Sequence, residues 1–157
     1  MMAKQVKPIP EGYHSITPHL TVKGAANFAE FLKRAFGAVE QGRMPGPGGK
    51  IMHAEMKIGD SKVMFADEFP EFGCPPAAEG HWPVVFHLYV QDADKVFAKA
   101  VAEGCKATMP LQDQFWGDRY GHVKDPFGFV WAIATRKEDL TPEEIGKRQE
   151  AAFAVKA

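Results

Sequence analysis

Apolar and polar positions change period along this chain, and the change happens twice in the same order. From Ile16 the pattern alternates: Thr17, His19 and Thr21 fall on one side and Ile16, Leu20 and Val22 on the other, which predicts a strand. Phe28, Phe31, Leu32, Ala35 and Phe36 then recur at three- and four-residue steps, the apolar stripe of a helix that runs into Gly37. The succession restarts at Val85. There Val85, His87 and Tyr89 oppose Phe86, Leu88 and Val90, and Ala93, Val96, Phe97, Ala100 and Val101 form a second stripe ending at Gly104. Superposing the two copies sets His19 on His87, Leu20 on Leu88 and Val22 on Val90. Asp92 is placed to cap the second helix, its carboxylate accepting from backbone N–H groups.

After each glycine the pattern predicts three more strands. One covers residues 39–44 and its counterpart 106–111; a hairpin follows in each copy. IMHAEMKI meets SKVMFAD across Gly59-Asp60, and RYGHVK meets FVWAIAT across Asp125-Pro126-Phe127-Gly128, a type I turn followed by a glycine for the bulge. The fold class expected is therefore α+β: two tandem βαβββ modules whose curved mixed sheets surround a cleft, with the helices outside. The organisation read from the sequence is an N-terminal segment (1–14), a first module (15–70), a proline- and glycine-rich linker (71–82), a second module (83–137) and a helical tail (138–157). The tail opens on a capping box, Thr141-Pro142-Glu143-Glu144, and is expected to pack on the outside or on a partner subunit. Residues 44–50, MPGPGGK, lack GxxxxGK[ST] and precede no helix, so they read as a mobile loop and not a phosphate cradle.

An amphipathic helix buries its stripe on the sheet, which sorts the strand residues into two faces. Ala54, Met56, Ile58 and Val123 go under the helices; His53, Glu55, Lys57, Tyr120, His122 and Lys124 go to the concave face. The repeat matches Glu55 to His122 and His53 to Tyr120. A cleft lined this way suits a small molecule. The candidate ligand-binding residues are His19, His53, Glu55, Phe65, His87, Tyr89, Trp116, Arg119, Tyr120 and His122. Glu55 and His122 could act as an acid–base pair, or simply satisfy each other as buried polar groups. Trp116 and Arg119 could close the mouth on an anionic ligand, or Arg119 could form an exposed ion pair with Asp118. Phe65, Tyr89 and Trp82 could stack on a planar ligand or fill core.

Composition narrows the class. The chain has 157 residues, 45% hydrophobic and 25% charged, with a net charge of −1 and no basic stripe, which argues against nucleic acid or an anionic membrane as partner. No apolar run approaches the ~20 residues of a spanning helix, and the N-terminus lacks the apolar stretch of a signal peptide. Cys74 and Cys105 have no metal-type spacing and read as reduced thiols of a cytoplasmic protein. Cys105 follows a helix C-terminus, where no positive dipole activates a thiol.

The segments FLKRAFGA, IMHAEMKIGDSKVMFAD and WGDRYGHVKDPFGFVWAIATRKEDLTPEEI resemble the PhnB-like branch of the vicinal-oxygen-chelate superfamily, the glyoxalase/bleomycin-resistance/extradiol-dioxygenase fold, over Ile16 to Ile145. The resemblance implies a divalent metal held by one residue on the first and one on the last strand of each module. Those positions fall here on Thr17, Phe65, Val85 and Ala132, and the last three carry no ligating atom. The reading is thus a metal-free protein of this superfamily that binds a small molecule, with no cofactor. The alternative is a glyoxalase/dioxygenase-type enzyme. It would use a displaced site in which His19 and His87, with Glu55 or His122, hold Zn²⁺, Fe²⁺ or Mn²⁺, or a metal-free Glu55/His122 pair. The resemblance also implies a homodimer.

Overall fold

In the computed structural model, which describes residues 8–72 and 84–154, each half of the chain folds as strand, helix and three strands. The first half has β1 (His19–Thr21), α1 (Ala25–Phe36), β2 (Val39–Pro45), β3 (Ile51–Ile58) and β4 (Ser61–Ala66). The second has β5 (Val85–Tyr89), α2 (Ala93–Ala102), β6 (Lys106–Asp113), β7 (Asp118–Lys124) and β8 (Val130–Arg136), followed by α3 (Pro142–Ala154). The chain divides into two compact units, residues 1–77 and 78–157. Trp82, Cys74 and all of the expected linker beyond Phe72 lie outside the described residues.

Both sheets have the same plan. The order is β1-β4-β3-β2 in one and β5-β8-β7-β6 in the other. In each, the first strand pairs in parallel with the last, and the remaining pairs are antiparallel. In the first module Phe28, Phe31, Leu32 and Ala35 of α1 are buried with Ala54, Met56 and Phe65, the Phe28 ring standing edge-on to Phe65 at 4.9 Å. In the second, Ala93 and Ala100 of α2 are buried, as are Val123, Phe129, Trp131 and Ile133; Phe86 lies 5.0 Å from Trp131.

Each helix start is capped from the end of its module's last strand. The Asp67 carboxylate accepts from the backbone N–H groups of Gly24 (3.1 Å), Ala25 (3.0 Å) and Ile51 (2.7 Å). Its counterpart Thr135 accepts from Ala93 N–H at 2.8 Å and donates to the Val90 carbonyl at 2.7 Å. Asp92 adds the expected N-cap, accepting from Lys95 N–H at 3.0 Å. Gly37, at φ 64°, ends α1 in the left-handed region and donates to Lys33 at 3.1 Å.

Two local readings change, and the tail takes one of its two expected places. β1 starts at His19 because Pro18 has no N–H to give a ladder, although its carbonyl accepts from Met64 at 2.9 Å; Ile16, expected under the helix, is 86% exposed. The 44–50 loop contains one 3₁₀ turn, Pro47–Gly49, closed by Gly46 N–H donating to Lys50 at 2.8 Å. The tail begins at its capping box, with Thr141 N–H donating to Glu144 and Glu144 N–H to Thr141 Oγ1. It returns to its own module: Phe153 meets Phe115 at 6.2 Å, and Arg148 pairs with Glu138. No helix among the described residues is long and apolar enough to cross a membrane.

Candidate functional site

Side-chain parity along β5, β7 and β8 gathers four of the candidates on one face of the second sheet. His87 pairs with Ala132 and Ala132 with His122; Tyr89 pairs with Ala134 and Ala134 with Tyr120. Two imidazoles and two phenols therefore flank two alanines on the central strand, and both alanines are fully buried. The rings touch: His87 lies 4.5 Å from Tyr89 and 5.6 Å from Tyr120, and Tyr120 lies 5.0 Å from His122. Trp116, in the turn before β7, stands edge-on to Tyr120 at 5.1 Å and to Phe115 at 5.0 Å. The ring series thus continues through Phe115 to Phe153 of α3.

Both phenols of this face are engaged by neighbouring side chains. Tyr120 Oη and His122 Nε2 are 2.6 Å apart, and Tyr89 Oη donates to Asp118 Oδ2 at 2.9 Å. Burial, with His87 adding, holds the His122 pKa below its ordinary value, so this imidazole is neutral at pH 7. Burial raises Tyr120, and the bond to Asp118 raises Tyr89, so both phenols keep their protons. Cys105 is not part of this chemistry; burial pushes its thiol to about 12.

The polar face of the first sheet is different in kind. His19 and His53 stack at 5.7 Å, and burial with the His53 charge lowers the His19 pKa. Glu55 accepts from Lys62 Nζ at 3.1 Å and from the Tyr13 hydroxyl, and Lys62 Nζ lies 4.0 Å from the centre of the Tyr13 ring. The bond from Tyr13, reinforced by Lys62, holds the Glu55 carboxyl below the usual range. Neither Tyr13 nor Lys62 is a sequence candidate: Tyr13 lies in a segment, 8–15, without periodicity, and Lys62 is an ordinary polar position of the expected strand SKVMFAD.

Two candidates do not belong to these faces. Phe65 pairs with Leu20 and Ala54 on the helix side and is fully buried against Phe28; the row-mate of His19 and Glu55 is Met64. Arg119 also points to the helix side, paired with Thr135, and its guanidinium is taken by Asp94 at 3.0 Å and Asp113 at 3.5 Å. Asp118, not Arg119, shares the face of Tyr120, and the two do not form the expected ion pair with each other. Glu55 and His122 lie in different compact units, and each has its own partners: Tyr13 and Lys62 for one, Tyr120 for the other.

The register also decides what a metal would meet on each sheet. One row reads His19, Met64, Glu55 and the other His87, Ala132, His122. Each has two nitrogen or oxygen donors about a side chain without one, whereas three or four protein ligands are the usual requirement for zinc. Among the described residues, no group of three or more His, Cys, Asp or Glu side chains is placed to hold a metal ion. Neither row by itself supplies the three or four donors of a complete site.

Comparison with known proteins agrees with the plan of the fold. An uncharacterized protein of Mycobacterium tuberculosis, Rv0887c, is 40% identical over 148 residues, spanning 92% of this chain and 84% of the relative. Protein YjdN of Escherichia coli is 30% identical over 117 residues, spanning 73% and 78%. The crystal structure of TioX from Micromonospora sp. ML1 superposes with a TM-score of 0.64 at 28% identity, covering 78% of this chain and 98% of TioX. The family model for the Glyoxalase/Bleomycin resistance protein/Dioxygenase superfamily matches residues 12–133, and the chain belongs to that superfamily.

Proposed function

We propose that this chain binds a small, uncharged, planar molecule on the polar face of its second sheet, without a metal ion. The observation that carries the reading is the array of His87, Tyr89, Tyr120 and His122 around the two alanines, with Trp116 beside it. Aromatic faces offer a planar ligand offset or edge-on contacts. At the ring array charge favours a neutral one: Arg119, the guanidinium among the candidates, is taken by Asp94 and Asp113 behind the sheet, and His122 is uncharged at neutral pH. The metal-free part of the reading is supported by the side chains at the centre of each row, Met64 and Ala132, which offer no nitrogen or oxygen donor.

Thermal melting of the full chain against a panel of neutral aromatic, anionic aromatic and aliphatic molecules tests this. A bound ligand at a hundredfold excess over its Kd adds about 2.7 kcal/mol of stability. Neutral aromatics are expected to raise Tm, and Trp116→Ala is expected to reduce the rise while leaving the ligand-free fold intact. A panel in which only anions, or nothing, shifts Tm sinks the reading.

A further inference from the structure

The two phenols of the second sheet have both committed their protons inward. Tyr89 Oη donates to the Asp118 carboxylate at 2.9 Å. Tyr120 Oη meets His122 Nε2 at 2.6 Å. In that pair the phenol is the stronger acid and the imidazole nitrogen the stronger base, so the hydroxyl donates and the His122 proton sits on Nδ1. A hydroxyl whose only hydrogen is used inward has nothing but lone pairs to show a ligand. Tyr89 and Tyr120 flank Ala134 in one row, so the lone pairs belong to one patch of the sheet. Tyr89 is 60% exposed, whereas Asp118 behind it is 3% exposed and unable to take the phenol's place as an acceptor.

We infer that the ligand of this face is recognised by the hydrogen-bond donors it carries: a planar aromatic or heteroaromatic molecule bearing ring O–H or N–H groups, which Tyr89 and Tyr120 accept. The inference rests on the binding reading above and names its ligand class. The directions of ionisation agree with it, since both phenols hold their protons and His122 is neutral at pH 7. A molecule presenting only acceptors, such as an ether or a quinone, meets lone pairs at both phenols and is desolvated there with no hydrogen bond in return.

The test uses matched probes on the full chain: resorcinol against 1,3-dimethoxybenzene, and indole against 1-methylindole, with Kd read by ligand-observed NMR titration. Each donor-bearing probe is expected to bind about tenfold more tightly than its methylated partner, the scale of one hydrogen bond with its unsatisfied alternative. Tyr89→Phe and Tyr120→Phe are each expected to shrink that preference about threefold while the methylated probe binds as before; far-UV circular dichroism checks that both variants fold. Equal or tighter binding of the methylated probes overturns the donor rule and leaves the binding site standing. A preference unchanged in both variants also overturns it, by placing the donors' partners elsewhere. No binding by any probe, methylated or not, overturns the binding reading and this inference with it.

Discussion

Asp125 shows how much one side chain of the DPFG turn carries. One carboxylate oxygen accepts from Phe127 N–H (2.9 Å) and Phe129 N–H (3.0 Å), and the other from Trp131 Nε1 (2.8 Å). Burial nevertheless pushes its pKa up, because desolvation of the charge outweighs the bonds that favour it. The sign follows from linkage. A folded pKa above the unfolded value means the native state binds the proton more tightly. The group's contribution is then fully present below the unfolded value, about 3.9, and declines as pH rises through the raised folded one. Asp125→Asn keeps an acceptor for the two backbone N–H groups but turns an amide toward the Trp131 donor, costing about 1–2 kcal/mol at pH 7. Urea melts from about pH 4 to 7 should show the wild-type advantage shrinking as pH rises. An advantage that grows with pH would mean the carboxylate is stabilised by the fold.

At the scale of elements, β7 owes its place to a residue with no side chain. Gly121 lies between Tyr120 and His122 and faces the other way, where β6 bulges between Met109 and Gln112. A Cβ there would stand 2.8 Å from Leu111 Cα, 2.9 Å from Leu111 N and 3.0 Å from the Met109 carbonyl oxygen. These are backbone atoms and cannot swing aside. Gly121→Ala is therefore expected to cost about 2–3 kcal/mol, the range of core overpacking, read as a fall in Tm of several degrees. A neutral result would show that β6 can retreat from β7 without loss. The bulge left no mark in the sequence, and neither did the Asp67 and Thr135 caps, whereas the strands and helices were written in periodicity, and the Asp92 cap, the 141–144 capping box and the Asp125–Gly128 turn in their residues. Faces were less legible. The second copy drops one residue after its helix and regains it in the longer Asp125–Gly128 turn. The same offset that sets His19 on His87 therefore sets Met64, not Phe65, on Ala132, and Asp67 on Thr135. A slip of one residue turns a side chain to the opposite face, and Phe65 shows it. Arg119 was excluded by the same parity: adjacent to Tyr120 in a strand, it cannot share its face.

For the whole molecule, the duplication supplies two polar sheet faces on one plan and gives them different chemistry. Where the second presents rings around Ala132 and Ala134, the first presents a charged set, Glu55 with Lys62, with Tyr13 of the N-terminal segment seated on it. Divergence at the centre of each row has the larger consequence. Met64 and Ala132 stand where a ligating side chain would complete His19 with Glu55, or His87 with His122, as a three-donor set. A chain built this way should hold its fold without an ion. Purified protein is expected to contain well below one transition metal per chain by elemental analysis, and dialysis against EDTA should leave Tm unmoved, since a metal bound only by the native state would have been adding stability. One equivalent of metal, lost in both His19→Ala and His87→Ala together with a chelator-induced fall in Tm, would establish a histidine site and overturn the metal-free reading. Metal that washes out with no change in Tm, and that neither substitution alters, would count as adventitious and leave that reading in place.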